Sequence, residues 1–311
     1  MSLASGSLCV LLITIPSFPS SFGGEIWISA QHPALFHLLS HSHLLHIKST
    51  TTSAKMLSKS LLFLASAALA LGTPVERTVS CRAPMPDPSL PLTGGAAELP
   101  PPPAGLELKV IALGLGIQNY SCASVGADAV STGALAMFYD ISLLYPESGP
   151  NSLTIEKFNQ LPAFALNHHA IPLHFNDSTV GRVEVASPGA SLKRPFTRAA
   201  ALDLGEEYGK LPFLGHHFFN TDGAPTFILR RGSFNVVAAK KASVPAPGSA
   251  DPGPMGTGAV AWLALDAANS KGATFVYRVE TAGGNSHGCS KAAGQDSTSY
   301  AAQYWFYGPK S

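Results

Sequence analysis

The stretch Leu106-Glu-Leu-Lys-Val-Ile-Ala-Leu113 decides the fold class, because its polar and apolar residues first alternate and then give way to a continuous apolar run. This pattern is typical of a β-strand that enters a buried core. Similar short runs recur along the chain, with Gly, Pro, Asn and Asp in the gaps between them. Strands at this spacing predict an all-β fold, either an antiparallel β-sandwich or a barrel. The further runs lie at residues 134–144, 171–175, 182–185, 216–220, 225–229, 234–239, 259–265, 273–279 and 300–307.

The connections between these runs predict turns and only short helical insertions. Asp222-Gly223 separates two runs and is a strong signal for a tight turn. Residues 152–161 and 198–208 are the best helix candidates, although their helical period is weak. Residues 244–258 are rich in Pro and Gly, and we interpret them as a surface loop within a single domain.

The beginning of the chain predicts export. Residues 56–72 combine Lys59, an apolar run that starts at Leu61 and a small-x-small pattern around Ala70, which are the parts of a secretory signal peptide. The run is too short for a membrane-spanning helix, which needs ~20 apolar residues. We interpret residues 1–55 as a mis-assigned leader, and an apolar run at 7–16 is an alternative signal. Either interpretation predicts a secreted, extracellular protein.

Composition sets the expected organisation of the mature chain. A Pro-rich strap or spacer at 73–104 would precede one β-rich domain at 105–311. Only 13% of the residues are charged, and 20 Lys+Arg stand against 19 Asp+Glu. This near-neutral balance argues against a nucleic-acid partner. We expect a monomer with no membrane span in the mature chain.

Of the four cysteines, Cys81, Cys122 and Cys289 follow the predicted cleavage site. Export predicts at least one disulfide bond, and three single pairings are possible. We prefer Cys122–Cys289, because both follow strand-like segments whereas Cys81 lies in the Pro-rich strap. Three reduced, buried thiols are the alternative.

Two Asn-x-Ser sequences begin at Asn119 and Asn176. They fit the pattern for N-glycosylation. Asn176 lies in a polar turn and is the preferred acceptor, because disulfide formation at the nearby Cys122 would compete with glycan attachment at Asn119.

A glycine pair, Gly114 and Gly116, follows the first predicted strand and invites a dinucleotide-binding interpretation. That fingerprint needs a third glycine three positions on, at the start of a helix. Residue 119 is Asn instead, and no alternation of strands and helices follows. A bulge or turn at the strand end is therefore favoured over a nucleotide site.

Candidate chemistry comes from histidines and nearby polar residues. One member of each pair, His168-His169 and His216-His217, could join Asp222 or Glu184 as metal ligands, but no established metal spacing is present. We therefore expect no metal and no cofactor. The aromatic residues at 300–307 could stack on sugars, although a core strand suits them better. No catalytic residue can be assigned, and the candidate pocket comprises His216, His217, Asp222, His287, Gln118 and Tyr120.

Several longer motifs follow one another along the chain. They are Gly116-x-Gln118-x-Tyr120-x-Cys122, Gly215-His-His-Phe218, Asp222-Gly-Ala-Pro-Thr-Phe227, Ala261-Trp-Leu263, Val279-Glu-Thr-Ala-Gly-Gly284 and Tyr300-Ala-Ala-Gln-Tyr-Trp-Phe-Tyr307. In this order they resemble the domain of unknown function 3455 family of secreted fungal and bacterial proteins, over about residues 105–308. The resemblance implies a secreted protein without an established activity, and it implies the Cys122–Cys289 pairing. The malate dehydrogenase activity often attributed to fungal members has no support here, because the nucleotide fingerprint is incomplete.

Two functional hypotheses follow. The first is a disulfide-bridged module that binds an extracellular glycan or the cell wall, and the absence of a catalytic motif favours it. The alternative is a secreted, hydrolase-like enzyme, metal-dependent in one version, whose pocket is formed by histidine and aspartate. Between the two, a non-enzymatic role is favoured.

Overall fold

The computed structural model describes residues 88–310 except Asp177. The predicted leader, the signal peptide and Cys81 lie outside the described residues. Eleven strands, two α-helices and two short 3-10 turns make up the regular structure. The helices are α1 (Ile155–His168) and α2 (Gly205–Tyr208), and the 3-10 turns are Ser142–Leu144 and Arg230–Gly232. The strands are β1 (Leu106–Cys122), β2 (Val130–Asp140), β3 (Leu202–Asp203), β4 (Lys210–Leu211), β5 (Phe213–Phe219), β6 (Pro225–Leu229), β7 (Phe234–Val237), β8 (Ala239–Val244), β9 (Trp262–Asp266), β10 (Phe275–Gly283) and β11 (Gly294–Pro309).

Nine of the strands form one antiparallel sheet in the order β7-β6-β5-β2-β1-β11-β10-β9-β8. The two outermost strands, β7 and β8, are consecutive in the chain and are separated only by Ala238. The sheet must therefore curl until its two ends meet, which produces a nearly closed barrel. This architecture confirms the predicted all-β fold.

The two faces of the sheet bury different clusters of side chains. Val110 and Ala112 of β1 belong to an inner cluster, whereas Ile111 and Leu113 belong to an outer one. This alternation is the two-residue period of a strand. Helix α1 covers the outer face, where Phe158 and other apolar residues of the helix are fully buried.

Some predicted elements differ from those observed. The helix expected at 152–161 begins at Ile155, where Thr154 caps it by accepting a hydrogen bond from the Lys157 amide. The helix expected at 198–208 is reduced to α2, because Gly205 and Gly209 adopt positive φ at its two ends. The runs at 171–175 and 182–185 form only isolated bridges.

Cys122 and Cys289 form a disulfide bond, with their Cα atoms 5.4 Å apart, and this is the pairing expected from the sequence. The bond links the end of β1 to the connection between β10 and β11. The described part of the Pro-rich segment packs against the barrel: Leu99 is buried and the Tyr277 hydroxyl donates to the Pro100 carbonyl over 2.8 Å.

Within residues 88–310, none of the helices described combines the length and the apolar character that a membrane crossing requires. Asn176 is exposed at its polar turn, and its side-chain oxygen accepts from the Ser178 amide. Asn119 lies within β1 and its side-chain oxygen accepts from the Ser297 hydroxyl, so Asn176 stays the preferred glycan acceptor.

Candidate functional site

A cavity of about 640 Å³ opens into the interior of the barrel, and we call it the lumen pocket. Its walls are formed by strands from both halves of the sheet and by the turn between β5 and β6. Its size is that of a typical small-molecule site. The lining residues are Gln118, Tyr120, Ser131, His217, Phe219, Asp222, Gly223, Ala224, Pro225, Phe227, Ala238, Ala239, Lys240, Ser243, Val260, Ala261, Leu263, Leu265, Arg278, Asn285 and Tyr304.

Four of the six residues proposed from the sequence line this pocket, namely Gln118, Tyr120, His217 and Asp222. The others lie elsewhere. His216 belongs to the opposite face of β5, where its ring centroid is 4.3 Å from that of Phe196, because adjacent strand residues face opposite sides. His287 is not among the lining residues; its Nδ1 atom bonds the Asp296 carboxylate over 2.8 Å.

His217 is held as a neutral ring. Its Nδ1 atom lies 3.0 Å from the Thr226 carbonyl oxygen, which can only accept, so Nδ1 carries the proton and Nε2 keeps an unshared electron pair. The ring also stacks on Phe227 at 4.3 Å. Burial and the nearby positive charge of Arg278 lower the pKa of His217 to about 4, against the opposing effect of the Thr226 hydrogen bond.

This pKa predicts a loss of stability in acid. The unfolded chain binds a proton at His217 as the pH falls below its ordinary pKa of about 6.5, whereas the folded protein does so only near 4. The contribution of His217 to the free energy of unfolding is therefore complete above pH 6.5 and should fall by up to about 3 kcal/mol toward pH 4. Urea denaturation across this range measures it.

The pH dependence of the wild-type unfolding free energy must be compared with that of a His217→Asn variant. Asparagine keeps a donor for the Thr226 carbonyl but does not titrate. Burial raises the pKa of Glu280 to about 7, so this residue contributes a pH dependence of opposite sign in the same range. Because Glu280 is present in both proteins, the difference between their unfolding free energies at each pH gives the contribution of His217. Identical slopes for both proteins between pH 4 and 6.5 would contradict the prediction.

Arg278 places a positive charge in the lumen pocket. Its Nε and Nη2 atoms donate to the Ala261 carbonyl over 3.3 and 2.8 Å. Among the described residues, no carboxylate forms an ion pair with it. The nearby Tyr304 hydroxyl, which is 2.9 Å from that of Tyr300, stays protonated because burial raises its pKa. The guanidinium charge is thus not neutralised by an acid.

Gln118 adds an unsatisfied donor to the same cavity. The residue is only 5% exposed, and its Nε2 atom has no hydrogen-bond partner of acceptable geometry, although the side chain faces the Tyr300 hydroxyl. Buried amide groups without a partner are rare and costly. Among the described residues, this amide therefore remains an available donor at the wall of the lumen pocket.

Hydrogen bonds fix Tyr120 at the rim of the pocket and the loop beside it. The Tyr120 hydroxyl donates to the Gly284 carbonyl over 2.7 Å, and burial raises the pKa of Tyr120 to about 12. Burial alone would raise the pKa of Asp296, but hydrogen bonds from Ser286 and His287 outweigh it and hold the carboxyl ionised. His287 therefore anchors the loop that carries Cys289.

Sequence reasoning missed Arg278 and Tyr304. A signal for the arginine exists, since it interrupts the apolar run Phe275-Val-Tyr-Arg-Val279, where a lone charge on a buried strand calls for an explanation. Tyr304 was assigned to a core strand together with its neighbours. All five aromatic residues of that segment are at most 5% exposed, so none is available to stack on a sugar at the protein surface.

The glycine pair has a packing role. Gly114 and Gly116 lie within the long antiparallel strand β1 and do not precede a helix. A Cβ atom at position 114 would approach Phe138 to 2.6 Å and Tyr304 to 2.8 Å. The strand therefore needs glycine there to accommodate the inner aromatic rings, and the dinucleotide interpretation does not fit this geometry.

The remaining sequence candidates do not assemble a metal centre. In the portion of the chain that the structure describes, no group of three or more His, Cys, Asp or Glu side chains could hold a metal ion. His168 and His169 lie at the end of α1, and Glu184 lies in an exposed loop.

Comparison with known proteins identifies a family. No curated protein matches the chain, and no solved structure does. One family model, described as "Protein of unknown function (DUF3455)", matches residues 102–308, which span the barrel from the last prolines before β1 to the end of β11. This match covers well over half of the sequence and includes both ends of the disulfide bond. The chain therefore belongs to the DUF3455 family.

Proposed function

We propose that this protein binds a small molecule in the lumen pocket, and that the ligand combines an apolar body with a carboxylate or a similar anionic group. The observation that carries the proposal is the pairing of two side chains, Gln118 and Arg278. Gln118 Nε2 is buried without a partner, and Arg278 is partly buried and forms no ion pair among the described residues. Both side chains line one cavity of ligand size. A single acceptor group of negative charge would satisfy both.

The charges around the cavity support an anion. Arg278 and Lys240 are its two cationic lining residues, and Asp222 is its one acid. Hydrogen bonds between a guanidinium and a carboxylate are among the stronger ones in proteins, and they strengthen further in a cavity with little water. The walls formed by Phe227, Leu263 and other apolar side chains suit an alkyl or aromatic body.

Binding is favoured over hydrolysis by the hydrogen bonds of His217. A nucleophilic mechanism needs a base within hydrogen-bond reach of a nucleophile. In residues 88–310, the hydrogen bond found for the His217 ring is made by Nδ1 to a backbone carbonyl, and no Ser, Thr or Cys side chain is hydrogen-bonded to Nε2. We also propose that the protein works outside the cell, since its disulfide bond is of the kind that persists in oxidising compartments.

The test compares octanoate, octan-1-ol and octylamine, which share one alkyl chain and differ in charge. We expect octanoate to bind tightest by isothermal titration calorimetry. Arg278→Met should weaken octanoate by about tenfold or more while leaving octan-1-ol almost unchanged, because only the charged acceptor gains from the guanidinium. Arg194→Met, at an exposed arginine, is the matched control.

A second variant tests the same proposal in case Arg278→Met does not fold. Gln118→Met removes the amide that has no partner at little change in volume, so it should fold at least as stably as the wild type and still bind octanoate more weakly. The proposal fails if octylamine binds as tightly as octanoate, or if Arg278→Met behaves like Arg194→Met.

A further inference from the structure

A second cavity, of about 700 Å³, lies outside the barrel between α1, β10 and the loop at 247–252, and we call it the helix-side pocket. It is lined by Asn159, Gln160, Ala163, Phe164, Asn167, His168, Tyr208, Pro247, Ser249, Ala250, Asp251, Pro252, Trp262, Glu280, Thr281 and Ala282. None of these residues was proposed as part of a site from the sequence, apart from the histidine.

Glu280 reaches this pocket through an irregularity in β10. Strand alternation would place residue 280 on the inner face with Arg278. Instead the register between β10 and β11 shifts between Val279 and Ala282, and Glu280 adopts a φ of +47°. A bulge of this kind re-aims a side chain, and here it turns the carboxyl outward into the helix-side pocket.

Left-handed backbone at a residue other than glycine is strained, and such residues cluster at functional sites. The Glu280 carboxyl forms no ion pair among the described residues, and burial raises its pKa to about 7. The chain thus keeps a partly buried acid in a strained conformation, without an ion-pair partner among the described residues. A requirement for a ligand would explain both the strained backbone and the acid without an ion-pair partner.

Two further polar atoms on this pocket are buried without partners. The indole Nε1 of Trp262, a residue only 1% exposed, is a donor without an acceptor. The Asn159 Oδ1 atom is an acceptor without a donor. They come from different elements, β9 and α1, and both residues line the same cavity as Glu280. The helix-side pocket therefore lacks one acceptor, for Trp262, and one donor, for Asn159.

Other side chains line the pocket but do not supply hydrogen-bond partners for Trp262 and Asn159. Asp251 already accepts from the Gly253 amide over 2.7 Å and from Asn167 Nδ2 over 3.0 Å. Phe164 forms an aromatic wall, with its ring centroid 4.5 Å from that of Tyr208 and 4.4 Å from that of His168. Such a wall suits the apolar C–H face of a flat ligand.

We propose that the helix-side pocket binds a neutral, polyhydroxylated ligand of hexopyranose size. Every hydroxyl group both donates and accepts, so one sugar can accept from Trp262 Nε1 while it donates to Asn159 Oδ1 and Glu280. An amine supplies only donors. A carboxylate supplies only acceptors, and the nearby acids Asp251 and Glu280 would repel its negative charge. The aromatic wall then packs against the C–H groups of the sugar ring.

This inference is independent of ligand binding in the lumen pocket, because the two cavities share no lining residue. The probes are the methyl pyranosides of glucose, mannose, galactose and N-acetylglucosamine, at millimolar concentration. Binding is followed by saturation-transfer NMR and by tryptophan fluorescence, and the Trp262→Phe variant identifies the part of the signal that comes from Trp262 rather than from Trp27 or Trp305. We expect at least one of the four to bind and to change the fluorescence.

Trp262→Phe removes the unpaired donor and keeps the aromatic bulk, so it should weaken the sugar by about tenfold. Glu280→Gly should abolish binding and raise the midpoint of thermal unfolding, because glycine relieves the positive φ. Arg194→Met, at an exposed arginine that lines neither cavity, should leave sugar binding unchanged. The proposal is overturned if none of the four glycosides binds, or if Trp262→Phe and Glu280→Gly bind sugar like the wild type.

Discussion

Replacing Gly116 with alanine is expected to destabilise the protein by at least about 3 kcal/mol, or to prevent it from folding. A Cβ atom at this position would overlap the Leu135 carbonyl oxygen and would lie 2.6 Å from the Ala136 Cα atom. Both obstacles are backbone atoms of β2, which pairs with β1 in register at Gly116 and Ala136. They cannot rotate away as a side chain could, so the central pair of strands would have to separate.

Urea denaturation of the variant measures this loss. Gly248→Ala is the matched control, since a Cβ atom there would meet nothing within 4 Å and the glycine does not have a positive φ. We expect the control to stay within about 0.5 kcal/mol of the wild type. A Gly116→Ala protein as stable as this control would show that β1 and β2 do not approach as closely as described.

Reduction of the Cys122–Cys289 bond should lower the free energy of unfolding by about 2–5 kcal/mol. The two cysteines are 167 residues apart in sequence, and a bond that closes so long a loop restricts the unfolded chain strongly. The bond also holds the loop in which His287 contacts Asp296, next to Tyr120 in the β1–β11 ladder. Reduction would therefore lower the free energy of unfolding in two ways, by releasing the unfolded chain and by loosening this loop in the folded protein.

The measurement compares urea denaturation of the wild type with and without dithiothreitol. A Cys122→Ala, Cys289→Ala double variant serves as the control, because it should match the reduced wild type and be insensitive to the reductant. If the reductant lowers the stability of the double variant equally, the effect does not arise from this bond.

The sequence was sufficient to predict the fold class because most strands keep an apolar or alternating pattern. The predicted run at 225–229 coincides with β6. Strand β8 was missed because Lys240 and Lys241 interrupt its apolar character. The runs at 171–175 and 182–185 have strand composition, but the sheet offers them only isolated bridges as partners.

The candidate site was predictable only in part, because the sequence does not show which face of a strand each side chain occupies. A pair such as His216-His217 must place its members on opposite faces, but the pattern does not reveal which one faces inward. Gln118 and Tyr120 were found through a motif, whereas Arg278 was passed over inside an apolar run. Glu280 could not have been placed at all, because the bulge that turns it outward is a backbone feature without a glycine to mark it.

The way in which the barrel ends at β7 and β8 bears on aggregation. Exposed edge strands recruit strands from other molecules. The backbone of β7 is occupied on its outer side, since Asn235 exchanges 3.0 Å hydrogen bonds with Lys271 and the Val237 amide bonds Ser270 Oγ over 2.9 Å. β8 carries Lys240 and Lys241 beside a break in register, and both features discourage a docking strand. Neither edge of this sheet should therefore recruit a strand from a second molecule.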